Sequence, residues 1–206
     1  MLIIFVFLPL LVIIGVILYY IFLKMPNKKN VSSNAKGEIL MIIAPKDFRD
    51  EELKQPKEAF ENAGYKVTIA SKGVRQASGM LGGVVSVDVD IKEVDINKYL
   101  AVVFVGGSGA SVYFGDPDVL RIAKEAVSSD KVVGAICIAP SILANAGVLE
   151  GKRVTSFPSE EENIKSHGGT YTGEKVSADG NIITAKGPEA ASEFGSKMVE
   201  LLNQKR

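Results

Sequence analysis

From Glu38 onward, short apolar runs rich in β-branched residues recur along the chain with helix-length segments between them. Ile39 to Ala44, Tyr65 to Ala70, Leu100 to Val105, Val132 to Ile136 and Ile182 to Ala185 all have strand length. Most are apolar throughout, as strands buried on both faces are. Between them, Arg49 to Ala63 reads as a helix ended by Gly64, and Asp116 to Val127 as a helix capped by Asp116 with Pro117 at its first position. Ser71 to Asp90 alternates apolar and polar residues around glycines and predicts a β-excursion or hairpin. Val154 to Ser156 and Lys175 to Ser177 read as later strands, Ser159 to Ser166 as a short helix, and Gly180-Asn181 as a hairpin turn. A last helix starts at Pro188. Such alternation predicts an α/β fold: a mostly parallel sheet covered by helices on both sides. Ligands of such sheets bind beyond the carboxyl ends of the strands.

The first 23 residues differ in kind. Leu2 to Leu23 carries no charge and as a helix would measure roughly 33 Å, enough to span a bilayer core. A secretory signal would want a basic start and a shorter apolar core. The expected organisation is therefore a transmembrane anchor over 1–23, a flexible linker over 24–36 and one domain over 37–206. Lys24, Lys28, Lys29 and Lys36 follow the span, and no acidic residue precedes Glu38. By the positive-inside rule this predicts a single-pass membrane protein with its domain in the cytoplasm.

The chain has 24 basic and 24 acidic residues, but four of the basic ones precede position 37, so the domain carries 20 − 24 = −4. That balance argues against nucleic acid as a partner. No paired-cysteine pattern points to a metal, and no cofactor is expected.

Cys137, the one cysteine, closes the run Val132 to Ile136 and opens a segment with Pro140 near a helix start and Gly147 as a stop. A strand turning sharply into a helix exposes the corner side chain and aims N–H groups at it, which would lower a thiol's pKa. The plain alternative is a small buried hydrophobe. Gly106-Gly107-Ser108-Gly109 follows another core strand, where backbone N–H groups can approach a reacting centre, hold a phosphate, or merely make a tight turn. Asp47, Asp50, Glu51 and Glu52 follow the first strand, and acidic residues in a helix's first turn are commonly dipole partners.

Taken together, Asp47-Phe48 through Glu52-Leu53 with Pro56, Val105-Gly106-Gly107, Gly134 to Cys137 with Pro140, and Gly187-Pro188 resemble the ThiJ/PfpI superfamily, a branch of the class I glutamine-amidotransferase-like folds. The resemblance spans residues 37 to 206. It implies a flavodoxin-like three-layer α/β/α sandwich, with Cys137 as nucleophile on its elbow and Glu52 as the acid touching the thiol. Backbone at Gly106, Gly107 and Ile138 would complete an anion site. Glu52 makes chemical sense there only if mostly protonated, because an ionised carboxylate would repel a thiolate. Histidines that family members carry beside the nucleophile are replaced: Ile138 follows the cysteine, and Phe157 stands in Thr155-Ser156-Phe157-Pro158. His167 is the only histidine.

The implied function is a cysteine-dependent hydrolase or glyoxalase/deglycase-like enzyme acting on small reactive carbonyls or adducts. The alternatives are a thiol redox sensor or stress-protective protein, a PfpI-like intracellular cysteine peptidase, and a binding role with a vestigial elbow. Expected partners are a small electrophile or a peptide, the membrane through the N-terminal helix, and further copies of the chain in a homo-oligomer.

Overall fold

The structure, a computed structural model, describes residues 35–205. Along the chain, β1 (Glu38–Ile42) leads through β2 (Lys46–Phe48) into α1 (Asp50–Asn62) and back to β3 (Lys66–Ser71). β4 (Gln76–Gly79), β5 (Val84–Ser86) and β6 (Val89–Asp90) precede β7 (Ala101–Phe104). Next come α2 (Pro117–Ser128), β8 (Val132–Ile136) and α3 (Pro140–Asn145). β9 (Arg153–Val154), α4 (Glu161–Ser166) and β10 (Thr170–Tyr171) lead to the hairpin β11 (Val176–Asp179) and β12 (Ile182–Ala185), followed by α5 (Ala191–Gln204).

Seven strands form the main sheet in the order β11-β12-β8-β7-β1-β3-β6. Its pairings among the described residues are parallel except β11 with β12. Side chains alternate across a strand, and in β1 both faces are apolar. Ile39, Met41 and the following Ile43 pack with Leu53 and Phe60 of α1 and Phe194, Met198 and Leu202 of α5. Leu40 and Ile42 pack with Val119, Ile122 and Ala123 of α2 and Leu143 of α3. This two-sided burial is why the strands read as apolar runs, and it yields helices on both faces of a mostly parallel sheet, as expected. The excursion over 71–90 becomes the β4–β5 hairpin, which joins β2 in a three-stranded side sheet, and β6 extends the main sheet.

The helix signalled by Pro140 begins there and is six residues long, because Cys137 to Ala139 are spent on the turn out of β8. One expectation needs correction. The expected localisation, a single-pass membrane protein with a cytoplasmic domain, is overturned: among the described residues no helix is long and apolar enough to cross a membrane. Even α5, with 14 residues, reaches only about 21 Å against a bilayer core of about 30 Å. It also carries Glu193, Lys197 and Glu200. The run Leu2 to Leu23, from which a membrane partner was expected, lies outside the described residues, as does most of the expected linker.

The start of α2 follows the sequence signal. The Asp116 side chain accepts from the N–H groups of Asp118 (3.0 Å) and Val119 (3.3 Å), and its other oxygen pairs with Lys72. Asp116→Ala should therefore destabilise the domain by about 1–2 kcal/mol. Urea unfolding would show this as a lowered midpoint with an unchanged slope.

Candidate active site

At the carboxyl end of β8 the backbone of Cys137 lies in the left-handed region, φ +64°. A non-glycine residue there costs about 1–2 kcal/mol, so the surroundings must enforce it. They hold Cys137 at both ends. Its N–H donates to the carbonyl of Ala185, the last residue of β12 (2.9 Å), and its carbonyl accepts from the Phe157 N–H (2.8 Å). The turn is closed by the Ala139 N–H on the Ile136 carbonyl (3.1 Å). Behind it, the buried Ser141 hydroxyl donates to Glu160 (2.5 Å). That support joins residues 19 apart in sequence, and no local pattern announces it.

The loop after β7 meets this corner. A Cβ on Gly106 would lie 2.5 Å from the Cys137 Cβ and 2.5 Å from Glu52 Oε2. Only glycine at that position lets the carboxyl and the thiol stand against each other. Gly107 has φ +96°, and a Cβ there would strike the Arg49 nitrogen at 2.3 Å. The loop before α1 is tied on by the Arg49 N–H donating to the Gly106 carbonyl (3.0 Å). Glu52, in the first turn of α1, is thereby buried completely. The five residues singled out from the sequence come together, with distinct surroundings. The N–H groups of Gly107 and Ile138 face the sulfur, whereas that of Gly106 faces Glu52.

Burial raises the Glu52 carboxyl from its ordinary 4.5 to about 8, opposed by the nearby thiol, Arg49 and the Gly106 N–H. Neither carboxyl oxygen completes a hydrogen bond of good geometry within the protein, so desolvation dominates. Burial also pushes the Cys137 thiol up, to about 12. An ionised Glu52 adds to the rise, while the Gly107 and Ile138 amides oppose it. The direction is the reverse of that expected from the corner alone. Two amides and a six-residue helix do not replace the water lost around a sulfur that is only 9% exposed. The groups titrate as a pair. At pH 7 Glu52 is mostly neutral, so its repulsion of a thiolate is largely absent.

The neighbouring carboxylates have other tasks. Asp50 accepts from the N–H groups of Leu81 and Gly83 (both 2.8 Å), anchoring the β4–β5 turn. Glu51 pairs with Arg49 (2.8 Å), and Asp47 is exposed. His167 is exposed at the end of α4, its Nδ1 2.8 Å from the Asn163 carbonyl. Phe157 is tied to the elbow through its backbone, but its ring carries no titratable group. Among the described residues no cluster of His, Cys, Asp or Glu is arranged to hold a metal ion.

The DJ-1/PfpI family profile matches residues 37–201, and the chain belongs to that family. An uncharacterized protein of Methanocaldococcus jannaschii is 41% identical over 181 residues, covering 86% of this chain and 87% of that protein. A deglycase of Pyrococcus abyssi is 31% identical over 163 residues, 79% of this chain and 98% of its own. Among solved structures, a ThiJ/PfpI domain protein from Brachyspira murdochii superposes with a TM-score of 0.80 at 34% identity. That match covers 83% of this chain and 99% of the other.

The buried carboxyl has a measurable consequence. Folded Glu52 holds its proton up to about pH 8, whereas in the unfolded chain it ionises near 4.5. Its contribution to stability is thus complete below about pH 4.5 and lost as pH rises through 8. The loss is on the order of 3–5 kcal/mol. Glu52→Gln should gain stability relative to wild type by several kcal/mol between pH 5 and pH 8.5, read by urea unfolding. A constant difference between the two proteins would show that Glu52 is not held neutral.

Proposed function

We propose that this protein is a cysteine-dependent enzyme acting on small reactive carbonyls or their adducts, with Cys137 as nucleophile and Glu52 as general acid and base. The observation that carries this reading is a fully buried, unpartnered carboxyl against a thiol faced by two backbone N–H groups. The similarity to a deglycase supports the substrate class.

With both groups protonated at rest, the thiol adds across an aldehyde carbonyl. The S–C bond forms, the π pair moves to oxygen, and Glu52 protonates that oxygen while taking the sulfur's proton. The Gly107 and Ile138 N–H groups stabilise the developing anion. For methylglyoxal, moving the C1 hydrogen to C2 and the C1 hydroxyl proton to the C2 oxygen leaves a thioester. Water cleaves it, so methylglyoxal plus water becomes lactate and the thiol returns. A Cys-His-acid peptidase mechanism fits poorly, because Ile138 and Phe157 occupy the two histidine positions.

Purified protein should convert methylglyoxal to lactate, and Cys137→Ala should lower the rate by about 10³-fold or more. Absence of turnover in wild type, or an unchanged rate in Cys137→Ala, removes this reading.

A second reading, thiol oxidation in a stress-protective role, is favoured by the same neutral carboxyl, which can donate a hydrogen bond to an oxidised sulfur. Intact mass after mild peroxide should then rise by one or two oxygens at Cys137. A mass that stays constant excludes it.

A further inference from the structure

The segments that build the site carry apolar side chains that the chemistry at the sulfur does not use. Three backbone segments contribute to the site: the turn at Cys137 and Ile138, the loop at Gly106 and Gly107, and the strap through Phe157. Each also carries an apolar side chain. Ile138 is half-buried against the core cluster that includes Cys137. Val112 is 61% exposed on the turn Ser108–Tyr113, which Gly107 caps. Phe157 is 45% exposed.

Phe157 is held firmly although its ring is not buried. Its N–H is on the Cys137 carbonyl, and its own carbonyl accepts from the Ser156 hydroxyl (2.9 Å) and the Glu160 N–H (3.0 Å). An exposed apolar side chain met singly needs no explanation. A half-exposed phenylalanine whose backbone is hydrogen-bonded to the nucleophile's own residue is a different matter.

We infer that Phe157 is a specificity-determining residue, favouring carbonyl substrates that carry an aromatic or bulky apolar group over the smallest dicarbonyls. The substrate class rests on the enzymatic reading above. The selectivity itself does not, because it is inferred for any electrophile that reaches Cys137. Covering a ring-sized apolar surface is worth about tenfold in a rate ratio.

The test compares kcat/KM for phenylglyoxal and methylglyoxal in wild type, Phe157→Ala and Phe157→Tyr. The phenylglyoxal-to-methylglyoxal ratio should fall about tenfold in Phe157→Ala, chiefly through KM, and be retained in Phe157→Tyr. A ratio unchanged in Phe157→Ala, or both substrates declining equally, overturns the inference, since the ring would then only support the elbow. Alkylation provides a readout independent of turnover, because Cys137 is the only cysteine. The rate with N-phenylmaleimide relative to N-ethylmaleimide should fall similarly in Phe157→Ala. Selective alkylation without turnover in wild type would sink the enzymatic reading and leave the selectivity standing; unselective alkylation with turnover would do the reverse.

Discussion

A carboxyl and a thiol share one buried space in this protein, and the contact exists because Gly106 has no side chain. A single methyl at that position would meet both the Cys137 Cβ and a Glu52 oxygen at 2.5 Å. Everything chemical follows from the resulting exclusion of water. It keeps Glu52 neutral near pH 7, raises the thiol, and leaves two backbone amides as the nearest compensation for charge on sulfur. Such a pair is poised for proton exchange rather than for permanent ionisation. In the proposed chemistry this suits a thiol that becomes anionic only as the electrophile arrives.

The parallel sheet makes that meeting possible. β1, β7 and β8 all point the same way, so the segments leaving them gather at one edge. The first delivers Glu52 on α1, the second Gly106 and Gly107, and the third Cys137. Hydrogen bonds then hold the edge together, from Arg49 to Gly106 and from Phe157 to Cys137. The left-handed conformation of Cys137 persists because the carbonyl of Ala185 and the N–H of Phe157 hold it on either side. The same fixation ties the backbone of Phe157, a half-exposed aromatic residue, to the nucleophile's own residue.

Much of the fold was legible in advance. Val132 to Ile136 and Ile182 to Ala185 were read with the bounds observed, because a strand buried on both faces is a continuous apolar run between breakers. Asp116-Pro117 marked the start of α2, because capping is local chemistry. The side sheet of β2, β4 and β5 was only half visible: the hairpin alternates in sequence, but its pairing with β2 spans some thirty residues. The anchorage of its turn by Asp50 and the Ser141–Glu160 contact left no trace in sequence, since both join residues distant along the chain.

By itself the sequence determined the class of fold, the order of elements and the position of the lone cysteine at a strand-to-helix corner. These are set by periodicity, segment length and punctuation by glycine and proline, all of which act over a few residues. The family resemblance singled out Glu52 among the acidic residues after β1, but the tertiary structure alone decided that its carboxyl is completely buried and that burial moves the thiol's pKa up. Ionisation depends on how much water and which dipoles surround a group. Those surroundings are assembled from three separate loops only once the sheet has formed.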